Sequence, residues 1–127
     1  MRKIKFNCRS IAGGYDSQLK LQTELKETIG YYFGWSNWHF AVHRSFYASG
    51  YCGGWRVTEL STGCGITGLR LTRKEALQQF EEMKLKSFKK YGKFAVNSFQ
   101  VELKRQINNM LEDYDIANDV SQFAEAN

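Results

Sequence analysis

His39, His43, Cys52 and Cys64 carry the nitrogen and sulfur donors that a zinc ion takes. Their spacing decides whether they can share one. Trp38–Phe46 alternates apolar and polar residues, the pattern of a strand. On a strand, positions i and i+4 share a face but lie about 13 Å apart, too far for a common metal. No C-x-x-C pair accompanies them. The expectation is no metal and no cofactor. Nucleophilic catalysis needs a nucleophile, a base and a group that orients the base. Cys52 or Cys64 with a histidine lacks the local signature that would support it. The carboxylates are no better placed, with Glu81–Glu82 on a helix surface and Asp113 and Asp115 near the tail. The sequence predicts no catalytic residues and no enzyme.

Gly63–Gly68 spells G-x-G-x-x-G. A dinucleotide site needs those glycines between a strand and a helix start, with an acidic residue about 20 positions on. Here the helix start falls later, at Thr72, and the acid is missing. A glycine-rich turn is the better reading.

Two residue groups suit binding instead. Arg73, Lys74, Lys84, Lys86, Lys89, Lys90 and Lys93 form a basic run that could meet phosphates or an acidic partner from a helix and the loop after it. Tyr31, Tyr32, Trp35, Trp38 and Tyr51 belong to more aromatic side chains than one small core readily absorbs, and suit a partner-binding patch. With 18 Lys and Arg against 13 Asp and Glu the net charge is +5, which raises the odds of an acidic or nucleic-acid partner. From Arg73 to Lys93 there are seven basic residues against three acidic, and no Lys or Arg follows Glu112.

These residues need a frame, and 127 residues predict a single domain, 1–127. Three cysteines cannot all pair within one chain. No signal peptide is evident and no apolar run spans a membrane, so the expectation is reduced thiols in a cytoplasmic protein; a Cys52–Cys64 bridge stays open. Ile4, Phe6 and Cys8 alternate as a strand that Gly13–Gly14 should end. Residues 17–33 read two ways. Leu19, Leu21, Thr23 and Leu25 alternate, while Leu21, Leu25, Ile29 and Phe33 make a helical stripe with Asp16 or Ser17 as N-cap. The stripe runs further, so a helix is expected. Strands follow over Trp38–Phe46, Trp55–Ser61 and Ile66–Leu71. Thr72–Glu75 is a capping box opening a helix from about 72 to 91. A C-terminal helix from about 98 to 113 precedes a tail expected to fray from about 116. The class is α+β: an antiparallel sheet of about four strands covered by helices. Its core is expected on Ile4, Phe6, Phe40, Val42, Val57, Leu77, Phe80, Ile107 and Leu111.

With that helix, the order α-β-β-β-α from Ser17 to Lys90 looks like the topology of double-stranded-RNA-binding domains. Those domains carry a basic cluster at the start of the last helix, where this chain has Thr72-Arg73-Lys74-Glu75. In character, Trp55–Gly63 followed by Thr72–Leu77 resembles small accessory proteins of phages and mobile elements, including inhibitors of CRISPR systems. That resemblance implies a stoichiometric, non-enzymatic inhibitor of a larger host nucleic-acid-processing machine, acting in the bacterial cytosol. The alternative is a basic nucleic-acid-binding module built on the lysine-rich helix.

Overall fold

The alternation of Ile4, Phe6 and Cys8 gives strand β1, Arg2–Tyr15, with Ile4 and Phe6 buried. The computed structural model describes residues 1–47, 50–91 and 95–124, without the side chains of 11–12, 46–47, 50–52, 85–91, 95–98 and 124. Strands β2 (Leu21–Trp35), β3 (Trp38–Tyr47), β4 (Gly50–Glu59) and β5 (Cys64–Gly65) follow, then helices α1 (Arg73–Tyr91), α2 (Ala95–Asp113) and α3 (Ser121–Ala124). The five strands form one antiparallel sheet in chain order. The class is α+β, with the sheet dominant.

The expected helix over residues 17–33 is instead strand β2, paired with β1 from Arg2↔Tyr32 to Ile11↔Thr23. Period-2 alternation wins because β1 offers a full row of partners, and Thr28, Ile29, Tyr31, Tyr32 and Phe33 suit a pleated surface better than a helix. Asp16, expected to cap the helix, caps the hairpin turn: its Oδ1 accepts from the amides of Gln18 at 2.8 Å and Lys20 at 3.0 Å. From Leu21 the order is therefore β-β-β-β-α, not the α-β-β-β-α of the double-stranded-RNA-binding resemblance. Gly13–Gly14 does not end β1 but only disturbs its register between Ile11 and Tyr15. The strand expected over Ile66–Leu71 shrinks to a bridge between Arg70 and Trp55.

The sheet curls until its edges meet, with the Arg9 amide donating to the Gly63 carbonyl at 2.8 Å. The inner, concave face carries Ile4, Phe6, Ala41 and Leu60, with Phe123 packed against them. Gly30 makes that curl possible, since a Cβ there would lie 2.8 Å from both the His43 Cβ and the Val42 carbonyl. The outer face carries Phe40, Val42 and Val57, covered by Ala76 and Phe80 of α1 and Leu103 and Ile107 of α2. Thr72 caps α1, its Oγ1 accepting from the Glu75 amide at 3.1 Å. All nine expected core residues lie in these clusters or pack on them, with Leu77 and Leu111 half-buried.

The tail from 116 is held, not frayed, through residue 123. Ala117, Asn118 and Phe123 are buried. The Asn118 side chain accepts from the Asn7 amide at 2.7 Å and donates to the carbonyls of Asn7 at 2.8 Å and Leu60 at 2.7 Å. It pairs with β1 as a neighbouring peptide group would, which blunts an otherwise open sheet edge.

Candidate nucleic-acid interface

Residues paired across an antiparallel sheet point to the same face. Lys3 pairs with Tyr31, Tyr31 with Val42, and Val42 with Val57; Lys5 pairs with Ile29, and Arg44 with Trp55. All of these side chains therefore share the outer face. Arg70 exchanges two backbone hydrogen bonds with Trp55, at 2.7 and 2.8 Å, and extends the face by one segment. The helices cover the end of this face around Phe40 and Val57 and leave the other end open. Lys3, Lys5, Arg44, Arg70 and Arg73 are all exposed there, and Ile29 is 47% exposed between them.

The aromatic rings on this face are held by cations. The Arg73 guanidinium lies 4.3 Å from the Tyr31 ring centroid, and that of Arg44 lies 5.5 Å from the Trp55 ring. Glu27 is the acid facing the same side on β2, with Lys5 at 3.7 Å. Five exposed cations around Tyr31, Ile29 and Trp55, with Glu27 beside Lys5, make the patch electropositive. Both Lys5 and Glu27 are largely exposed, so their pairing is weak and screened and leaves Lys5 available.

The structure separates the residues grouped by sequence. Arg73 and Tyr31 come together on the open face, although the sequence placed them in different sites. Trp35 and Trp38 meet at a tilt with ring centroids 5.9 Å apart, and Trp35 also meets Phe80 and Phe99, so both pack on the helix-covered core. Tyr32 faces inward and meets His39, Phe123 and the Arg2 guanidinium. Lys84 is drawn onto Trp35 and Glu81, at 5.0 and 2.9 Å, which takes it from the basic run. Lys74 is exposed at the start of α1. The side chains of Tyr51, Lys86, Lys89 and Lys90, and all of Lys93, lie outside the described residues. Lys3, Lys5, Arg44, Trp55 and Arg70 were missed because they come from four separate segments. Alternation of Lys3 and Lys5 opposite Ile4 and Phe6 was the one signal in the sequence that could have found them.

The histidines serve the interior. His39 Nδ1 and the Tyr32 hydroxyl share a 2.6 Å hydrogen bond. His43 is fully buried, with Nδ1 2.8 Å from the Arg44 carbonyl and Nε2 2.6 Å from the Thr58 hydroxyl. A carbonyl only accepts, so Nδ1 carries the proton and Nε2 accepts from Thr58. Burial lowers the His43 pKa to about 4, with the nearby Arg56 charge adding to the shift and the Arg44 carbonyl opposing it. The Cys8 thiol contacts the same Thr58 hydroxyl, and burial pushes its pKa up. A neutral thiol and a weakly basic imidazole are the reverse of an activated pair. Cys64 is a free thiol whose pKa burial also pushes up, and the Cys52 side chain lies outside the described residues. Among the described residues, no group of three or more His, Cys, Asp or Glu side chains could hold a metal ion. Glu59 is buried and closes the turn into β5, accepting from the Ser61 and Thr62 amides, both at 2.9 Å.

A cleft of about 780 Å³ separates the β1–β2 hairpin from the end of α2. Its groups are spent on holding the two together. Arg9 donates to the carbonyls of Thr62 and Asp115 and to the Thr23 hydroxyl, and Lys20 donates to the Asp113 carbonyl. The Tyr114 ring lies beside both cations, and its hydroxyl donates to the Leu21 carbonyl at 2.5 Å. No helix among the described residues is long and apolar enough to cross a membrane.

Comparison of the chain with protein-family models, with curated proteins and with solved structures gave no match.

Proposed function

We propose that this protein is a non-enzymatic nucleic-acid-binding module that uses the open outer face of its sheet. One observation carries the reading: five exposed cations from β1, β3, the Arg70 bridge and the start of α1 share one face with Tyr31, Ile29 and Trp55. Lys and Arg set around the partly buried rings of Tyr31 and Trp55 and the exposed Ile29 suit a ligand with repeating negative charge and flat apolar faces. Inhibition of a larger host machine ranks second, because Tyr32, Trp35 and Trp38, three of the five residues of its expected partner-binding patch, are engaged in packing.

Salt titration of binding to a labelled oligonucleotide tests this. Contact with three phosphates of a single strand should give a log–log slope of about −2. Arg44→Glu and Lys5→Glu should each weaken binding and flatten the slope by about 0.7 or more. A salt-independent affinity, or one that neither reversal alters, would refute the reading. Recovery from a bacterial lysate of a partner protein that survives nuclease treatment would favour the inhibitor.

A further inference from the structure

Given that reading, we infer that the ligand class is single-stranded nucleic acid and that Trp55 and Ile29 receive its unpaired bases. The row across the outer face runs Lys5, Ile29, Arg44, Trp55, Arg70: cation, apolar, cation, aromatic, cation. Arg44 takes its place in the row one position beyond the last β2–β3 pair, Gly30↔His43. Five chain segments at about 4.8 Å spacing make it about 19 Å wide, enough for a short run of nucleotides laid across the strands.

Alternation is what discriminates between the ligand classes. A single strand has both phosphates and uncovered base faces, so each member of the row finds a complement. A duplex hides its base faces in the stack and would set phosphates and sugars against Ile29 and Trp55. Shape gives the same answer. The sheet curls with its inner face toward Phe6 and Leu60, so the open face is convex. A convex sheet meets a cylindrical duplex along a narrow contact. Reading a major groove takes a helix or ribbon that projects into it. Helix α1 lies down on this face, with Arg73 folded onto Tyr31, so it offers no such projection.

The Arg44 guanidinium lies on the Trp55 ring in the free protein. A base can stack on the indole as that guanidinium turns to an adjacent phosphate, so both groups stay engaged on binding.

Fluorescence anisotropy with a labelled 15-nucleotide oligo-dT strand, against a 15-base-pair duplex at equal salt, tests the inference. Single-strand binding should be at least tenfold tighter. Trp55→Ala should weaken it by about fivefold or more, the smaller end of the range for one stacked base. Trp55→Phe should restore most of that loss. Ile29→Ala changes an exposed position with no risk to the core, and should weaken the single strand at least twofold while leaving the duplex unchanged. Equal or tighter duplex binding would overturn this inference and leave the cationic face standing. So would Trp55→Ala and Ile29→Ala variants that bind oligo-dT as the parent does. Binding to neither probe at low salt would overturn the nucleic-acid reading itself.

Discussion

Arg73, in the first turn of α1, places its guanidinium 4.3 Å from the ring centroid of Tyr31, in the last third of β2. The contact joins residues 42 positions apart and fixes where the helix begins over the sheet. A cation over a ring at an exposed site contributes about 0.5–1 kcal/mol. A double-mutant cycle of Arg73→Ala and Tyr31→Leu in urea should show coupling of that order. No coupling would mean that Arg73 only passes over the ring.

His43 makes stability depend on pH. Its folded pKa of about 4 lies below the ordinary 6.5, so below pH 6.5 the unfolded chain takes up a proton that the folded chain refuses. Stability therefore falls as pH drops from about 6.5 to 4, by about 3 kcal/mol in all. Urea midpoints measured between pH 7 and pH 4 should show this loss. A His43→Asn variant should be less stable at pH 7 and show a shallower fall. An unchanged slope in the variant would assign the dependence to other groups.

Asn118 makes three hydrogen bonds that no apolar residue can replace. Asn118→Leu should cost about 2–4 kcal/mol, because it strands the Asn7 amide and two carbonyls at a buried site. Asn118→Asp keeps an acceptor for the Asn7 amide but turns a carboxylate toward the carbonyls of Asn7 and Leu60, and should be worse still. Limited proteolysis should cut the segment after Asp115 faster in both variants. Equal cleavage of parent and variants would show that Phe123 and the backbone hydrogen bonds of Ala117 hold the tail without Asn118.

Gly30 and Gly14 offer a paired test of the curl. A Cβ at Gly30 would meet the His43 Cβ and the Val42 carbonyl at 2.8 Å, whereas one at Gly14 would meet nothing within 4 Å. Gly30→Ala should destabilise by about 3 kcal/mol, in the range of other overpacked cores. Gly14→Ala should stay within about 0.5 kcal/mol of the parent. Comparable melting temperatures for the two variants would show that β2 can move away from β3 at little cost.

Local periodicity determined a good part of this protein. Alternation in β1, β3 and β4 placed Ile4, Phe6, Phe40, Val42 and Val57 in the core. Thr72 and Glu75, read together as a capping box, marked the start of α1, because a helix cap needs only its own next turn. Those signals act within a few residues. Residues 17–33 carried both periods, and only the long pairing with β1 settled them as β2, at a distance no local window spans. Asp16 looked like a helix cap for the same reason: an Asx side chain accepts nearby amides in a turn as readily as at a helix start. The tail is polar enough to fray, and what holds it is an amide that finds its partners on β1 and at Leu60, just past the end of β4. The open face follows the same logic. Arg73 and Tyr31 were each legible as surface residues, yet their meeting, and the row from Lys5 to Arg70, exist only once register sets odd positions of β1 and β2 beside even positions of β3 and odd positions of β4. Charge can be counted along a chain. Which charges face one ligand is decided by the sheet, because pairing sorts side chains to one side or the other by the single-residue steps of register.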